Sequence, residues 1–316
     1  MSTLTKLKWL IKRELWEHKG ALIWAPILMG AMMVMIAIVS RVVELVRGEA
    51  LMIGAIAPRL DPKSTARFDA LADYAFRAPL MTVAVVLALS LIFYCIGTLF
   101  DDRRDRSVYL WKSLPISDQL TVLSKVIVAV LVAPAIALIA ALTSAIFVGL
   151  ITCTVLATQG VNIFGDVLRD PRAVSTPLAL LAMLPVQVVW ALPTVGWLMM
   201  VSAWARSKPL LWAFGAPILL AVLYSYARQS EASSRSTWIW DDVVIRLLGG
   251  VMPGVWQDYA AKSANASKSV ASKLTDSDAL SRAWSLFAQP DMWLGALAGV
   301  VMLGVAVWLR QRNEES

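Results

Sequence analysis

The chain has 316 residues, of which 59% are hydrophobic and only 16% are charged, whereas a soluble globular domain is about 25% charged. Together with a mean hydropathy of +0.67, this composition excludes an ordinary soluble domain and indicates a membrane protein built from α-helices. The net charge of +7 fits attraction to anionic lipid at a membrane surface. We expect no nucleic-acid partner, because no soluble domain is available to carry a basic patch.

An interfacial helix is predicted first, at residues 3–18. Leu4, Leu7, Ile11 and Leu15 recur at helical spacing, and the segment also carries residues that favour the membrane surface: Lys8, Lys12, Arg13, Lys19, Trp9 and Trp16. We expect this helix to lie in the membrane interface before the chain enters the bilayer at Gly20. The alternative is a basic tail that only sets the topology.

Charge-free runs then predict six transmembrane helices within one domain of residues 1–316, at about 20–40, 79–100, 120–156, 177–204, 209–227 and 292–309. A helix needs about 17–25 apolar residues to cross the hydrocarbon core. The run at 126–165 could hold two crossings, so seven spans are the alternative. We predict one, because no turn signal interrupts the run and a lone proline, Pro134, is tolerated inside a membrane helix.

Basic residues in the short connections predict the orientation. They occur before the first span, after the second, between the fourth and fifth, and after the sixth: Lys6, Lys8, Lys12, Arg13, Lys19, Arg103, Arg104, Arg106, Lys112, Arg206, Lys208, Arg310 and Arg312. We therefore expect a multi-pass protein of the cell (inner) membrane with both termini in the cytoplasm. The external loop 228–291 should begin with a surface helix in 236–256, which Gly249-Gly250 would end.

Residues for catalysis or metal binding are scarce. His18 is the one histidine, which excludes a histidine-based metal centre or a catalytic triad, and no phosphate-binding GxxxxGK[ST] loop occurs. Charges deep inside the predicted spans are absent, apart from Lys125 near one end of span three, whereas proton-driven pumps usually need intramembrane carboxylates. We expect no enzyme activity, no metal and no cofactor in this chain, and Cys95 and Cys153 should be buried free thiols.

The fourth span carries the residues that could line a path through the membrane. Trp190, Trp197 and Trp204 are spaced by seven, and Gln187 places an amide well inside the span. Gln187, Trp190 and Trp197 are therefore candidates for a translocation path. A packing or lipid-facing stripe, with Trp204 at the interface, is the preferred interpretation of the tryptophans, and Gln187 fits a path or an inter-helix contact equally well.

The densest charge cluster, Asp101 to Arg106, directly follows a 23-residue run without charge at 78–100. We expect this cluster to be solvated at the cytoplasmic surface. A short amphipathic helix is predicted at 106–115, ended by Pro115, and Ser117 should cap the helix that follows.

The stretch FYCIGTLFDDRRDRSVYLWKSLPISDQLTVLSK (93–125) resembles the corresponding segment of ABC-2-type transporter permeases, in which a charged run precedes a coupling helix. The resemblance implies two permease copies and two copies of a separate ATPase subunit, which binds ATP and Mg²⁺ and pushes on the coupling helix. Carried over by position, the ATPase contacts are Arg106, Tyr109, Trp111, Lys112, Ser113, Leu114 and Pro115, with secondary contacts at 3–18, Arg206 and Lys208. Such systems commonly export lipids, peptides, drugs or other amphipathic molecules.

The external loop 228–291 is longer than a minimal family member needs. It keeps a second function class open, a non-transporting membrane scaffold or immunity protein that works through this loop. An intramembrane enzyme is the weakest alternative, because the usual catalytic groups are missing.

Overall fold

The computed structural model describes residues 2–47, 62–104, 117–158, 164–165, 172–227, 243–252, 255–256, 259 and 279–312. Within these ranges the regular secondary structure is helical. We number the α-helices as α1 (Thr3–Glu17), α2 (Ala25–Arg47), α3 (Pro62–Arg104), α4 (Asp118–Ile127), α5 (Ala133–Thr158), α6 (Arg172–Trp204), α7 (Pro209–Ala227), α8 (Ile245–Gly249), α9 (Ala279–Ser285) and α10 (Pro290–Arg312).

Six helices in the described part of the chain are long and apolar enough to cross a membrane: Gly20–Val43, Phe76–Arg104, Asp118–Val155, Pro177–Trp204, Pro209–Tyr226 and Pro290–Arg312. They are called spans one to six here. Each coincides with a predicted span to within a few residues. Span three is one helical rod over 38 residues, as predicted, and the described residues contain no seventh candidate.

Two π-helical turns interrupt the rods, at Gly20–Trp24 and Val128–Val132. Each ends directly before an Ala-Pro pair, Ala25-Pro26 or Ala133-Pro134, and the alanine N–H in both cases bonds the carbonyl five residues earlier. A proline ring clashes with the carbonyl four residues before it. The wider π turn moves that carbonyl away, which lets span three continue through Pro134.

Spans two, three and four form the centre of the bundle, and spans one and five lie at its edge. Half of span two is buried, against 17% of span one and of span five. Span five contacts its neighbours through small residues, with Ala213 and Ala221 fully buried, while its large apolar side chains such as Leu220 and Leu223 are exposed. Large apolar side chains exposed away from the contact face are typical of a helix that is surrounded by lipid.

Span six packs most closely on span four, and glycines make this approach possible. A Cβ added to Gly299 would lie 2.5 Å from the Leu192 carbonyl oxygen, and one added to Gly196 would lie 2.5 Å from the Gly299 carbonyl oxygen. Small residues at such contacts let helix backbones meet directly in the membrane. Gly196 and Gly299 therefore form the close helix-packing contact, whereas Gly295 makes room for the Arg246 guanidinium.

One helix boundary differs from the prediction. Span two belongs to a helix that already begins at Pro62, so Pro79 lies inside α3 and does not start it. The buried face of α1 is centred on Leu10 and Glu14, with Ile11 and Leu15 partly buried beside them. It packs on α4 and on span two, so this face covers the bundle itself.

Of the loop 228–291, which the sequence predicts to be external, the structure describes α8, α9 and short pieces beside them. The helical turn α8 ends at Gly249, followed by Gly250, where the sequence predicts the end of a surface helix; residues 236–242 lie outside the described part. Both α8 and α9 pack against span four, so they cover the end of the bundle opposite to α1. We call the α1 end, which also contains 101–104, 117–118, 205–208 and the last turn of α10, the basic end.

Candidate functional site

The predicted coupling helix 106–115 lies outside the described residues, and so do Arg106, Tyr109, Trp111, Lys112, Ser113, Leu114 and Pro115. The two secondary candidates, Arg206 and Lys208, are exposed in the link between spans four and five. Lys208 has a positive φ of 47°, which closes this tight turn directly before Pro209. Both side chains are therefore free to meet a partner at the basic end.

Gln187 lines a cavity of about 160 Å³ between spans two, three and four. Its other lining residues are almost all aliphatic: Leu80, Met81, Val83, Ala84, Leu87, Leu91, Pro134, Ala137, Leu138, Ala141, Leu180, Met183, Leu184 and Val251, with Trp256. No charged side chain is among them. This is the one predicted path residue that borders the cavity.

Trp190 and Trp197 lie elsewhere on span four. Trp190 is 1% exposed and packs against Tyr259 in a tilted arrangement, with ring centroids 5.0 Å apart. Trp197 donates its indole N–H to the Ala213 carbonyl at 2.9 Å, which ties span four to span five. Both rings therefore act as packing residues in this structure. Trp204, at the end of span four, is half exposed and makes an edge contact with Trp212 of span five.

A buried ion pair joins α1 to span three. Lys125 Nζ lies 3.1 Å from Glu14 Oε1, and each side chain is 1% exposed. The same ammonium donates to Thr98 Oγ1 at 2.7 Å, and Tyr94 donates its hydroxyl to Glu14 Oε2 at 3.2 Å. Buried charges are tolerated when they are paired and hydrogen-bonded in this way.

A second set of charges continues the network to span six. Asp102 Oδ2 lies 3.4 Å from Lys125 Nζ and 3.3 Å from Arg310 Nη1, and Arg310 Nε lies 3.2 Å from Asp118 Oδ1. We call Glu14, Asp102, Asp118, Lys125 and Arg310 the charge cluster. Its members come from α1 and spans two, three and six, so one electrostatic unit holds four elements together at the basic end.

The charged run after span two is therefore not uniformly solvated, contrary to the prediction. Asp101 and Arg104 are exposed, whereas Asp102 turns into the charge cluster. Arg103 donates to the Ser202 and Ala205 carbonyls at 2.6 and 2.9 Å. The Ser202 carbonyl lies in the last turn of span four, where a helix lacks its own donors, and Ala205 directly follows that helix. Arg103 therefore caps span four from span two.

The charge cluster shows what the sequence could and could not reveal. Glu14 stands on the apolar side of α1, between Ile11 and Leu15, and an acid at such a position is a signal that a cation lies opposite. Lys125 was recognised as the charge within a span. No local pattern could pair them, because the partners are 111 residues apart.

Glu14, Glu17 and His18 also place one potential metal-ligand atom each within 4.8 Å of one another. Glu14 is already engaged by Lys125, and Glu17 Oε1 accepts from Arg13 Nε at 2.7 Å. The His18 ring packs edge-on against Tyr94 at 4.8 Å. Salt bridges and ring packing account for all three side chains.

At the opposite end, Arg246 of α8 is inserted between spans four and six. Its guanidinium donates to the Asp291 and Met292 carbonyls at 2.6 and 3.1 Å and lies 4.4 Å from the Trp190 ring. Thr194 bonds the Arg246 carbonyl at 2.8 Å. The sequence predicts a surface helix around Arg246, yet this side chain is 9% exposed and fixes α8 to spans four and six.

Comparison with protein-family models, with curated proteins and with solved structures finds no match to this chain. The class that the fold defines is a helical protein with six helices able to span a membrane.

Proposed function

We propose that the chain is the membrane-spanning permease subunit of an ATP-driven ABC exporter of the ABC-2 type. Two copies form the translocation path, and each couples to a separate ATPase subunit that binds ATP and Mg²⁺. The basic end faces the cytoplasm, as the abundance of short basic connections there favours. The cargo is an amphipathic molecule such as a lipid, a peptide or a drug.

The observation that carries this proposal is the attachment of both ends of the segment 105–116. Asp102 precedes the segment and Asp118 follows it, and the two carboxylates bind the same guanidinium, that of Arg310. Any force that a partner applies to the segment therefore reaches spans two, three and six together. A coupling helix needs such a rigid connection to the spans that it moves.

The location of the charges also supports an external energy source. The buried acids and bases of the charge cluster lie at the basic end and are paired with one another, and the lining of the cavity holds no charged residue. Proton-coupled transporters place ionisable groups along the path itself. A partner ATPase supplies the energy in the proposed mechanism.

Purification of the tagged chain in mild detergent from its native host, followed by mass spectrometry, tests the partnership. We expect a nucleotide-binding subunit in equal amount, lost in the double variant Trp111→Ala/Leu114→Ala. A monodisperse chain without an ATPase would refute the proposal and would favour the alternative, a non-transporting scaffold that works through the loop 228–291.

The same complex tests the mechanical role of Arg310. In Arg310→Met, we expect the ATPase to stay bound while the hydrolysis rate falls to that of the isolated ATPase subunit. Arg312→Met is the matched control, because Arg312 lies on the same helix, is exposed, and stacks on the Trp308 ring at 4.4 Å. Wild-type hydrolysis in Arg310→Met would contradict coupling through the charge cluster.

A further inference from the structure

The cavity beside Gln187 is bordered by spans two, three and four. Spans three and four make little contact with each other. Residues at its back, Val83 and Ala137, are 0% and 2% exposed, whereas rim residues such as Leu138 and Leu184 are half-buried. The rim therefore meets whatever surrounds the spans, which in a membrane is lipid.

An apolar guest suits the space better than water does. Around its wall, Gln187 and the Trp256 indole are the polar side-chain groups among the lining residues, and a buried water needs two to four polar partners. An apolar cavity of about 150 Å³ is large enough for a six-carbon ring, and this one measures about 160 Å³. A chain or ring of about six carbons fills it.

Gln187 adds a hydrogen-bonding requirement. Its side chain makes no hydrogen bond to the part of the chain that the structure describes, although an unsatisfied amide inside a membrane is costly. It lies ten residues from Pro177, the start of span four, which is about 15 Å along a helix and half of a hydrocarbon core of about 30 Å. The esters and headgroups of bilayer lipids lie at the membrane surfaces, so they do not reach this depth.

We infer that this cavity is a binding site for a small neutral amphipathic molecule, with its hydrocarbon part against spans two and three and a hydroxyl or carbonyl group on the Gln187 amide. The absence of charge in the lining excludes an ionised guest, because an unpaired ion there would lose its hydration. The inference concerns binding and stands whether or not the chain works with an ATPase.

Photolabelling of the purified full-length chain tests it, with a six-carbon alcohol that carries a diazirine as the probe. We expect saturable labelling of cavity residues, mapped by mass spectrometry and displaced by unlabelled hexanol. Ala137→Phe fills the space and should reduce labelling at least tenfold. Ile139→Phe is the matched control, because Ile139 is on the same helix with its side chain 63% exposed, and it should label like the wild type.

A second pair of probes isolates the amide. Gln187→Leu removes the hydrogen-bonding group at similar volume, so labelling by the alcohol should fall about two- to tenfold, while a diazirine hydrocarbon without the hydroxyl should label both proteins equally. Labelling that hexanol does not displace, or that Gln187→Leu leaves unchanged, would overturn the assignment. So would labelling of the cavity by a diazirine phospholipid alone, since that result identifies an ordinary bilayer chain.

Discussion

Replacing Lys125 by methionine removes the central cation of the charge cluster while keeping the length of the side chain. Lys125 and Glu14 are each 1% exposed, so the variant leaves the Glu14 carboxylate buried without the Lys125 ammonium, while Asp102 keeps its ion pair with Arg310. Loss of one partner from a buried ion pair costs about 3–5 kcal/mol. With about 2 °C of midpoint per kcal/mol for a large domain, we expect the unfolding midpoint to fall by roughly 6–10 °C.

The assay is thermal unfolding of the purified protein in detergent, followed by tryptophan fluorescence at one fixed scan rate, because unfolding of such proteins is often irreversible. Arg13→Gln is the control: it breaks an exposed ion pair with Glu17 at 2.7 Å, which is worth at most about 1 kcal/mol.

Glu14→Gln/Lys125→Met should recover at least half of the loss, since it leaves no uncompensated charge between these two positions. A midpoint of Lys125→Met within 2 °C of wild type, which is about the effect of 1 kcal/mol, would refute the reasoning. So would a double variant whose loss equals the sum of the two single losses.

Three further predictions concern the contacts between spans. Gly299→Leu should prevent the close approach of spans six and four and abolish a monodisperse product on size-exclusion chromatography; Gly304→Leu, on the same helix with nothing within 4 Å of an added Cβ, should behave like wild type. Arg246→Met removes two hydrogen bonds to carbonyls of span six, so protease cleavage in the external loop should become several times faster, and unchanged cleavage would show that α8 is held by other contacts. Trp197→Phe loses one hydrogen bond to span five and should lower stability by about 1 kcal/mol in the same thermal assay; a loss above about 3 kcal/mol would mean that ring volume matters more than the bond.

The membrane architecture was largely predictable because it follows from local composition. Charge-free runs of sufficient length identified all six spans, including the single crossing of residues 118–155 through Pro134. The helix that carries span two extends well before the predicted start at Pro79, because a proline is tolerated inside a membrane helix and α3 runs from Pro62 through Pro79 to Arg104.

The candidate site was less predictable, because its geometry depends on contacts between distant segments. Gln187 stood out as an amide inside a span, and the structure places it at a cavity. The role of Asp102 was missed because neighbouring arginines in the sequence offered a local partner, whereas its cations come from spans three and six. The buried role of Arg246 was missed because its acceptors are backbone carbonyls 45 and 46 residues away. Every residue has a backbone carbonyl, so the sequence gives no signal that one of them accepts a side-chain hydrogen bond.

The measurement that tests the proposed function most directly is site-specific cross-linking at position 111 in native membranes. A photoreactive phenylalanine analogue replaces Trp111, and mass spectrometry identifies the product; Tyr226 serves as the control position, since it is 76% exposed at the other end of span five. The coupling-helix proposal predicts a cross-link from position 111 to a nucleotide-binding ATPase subunit and none from position 226. Cross-links from position 111 only to lipid or to proteins that bind no nucleotide would contradict it.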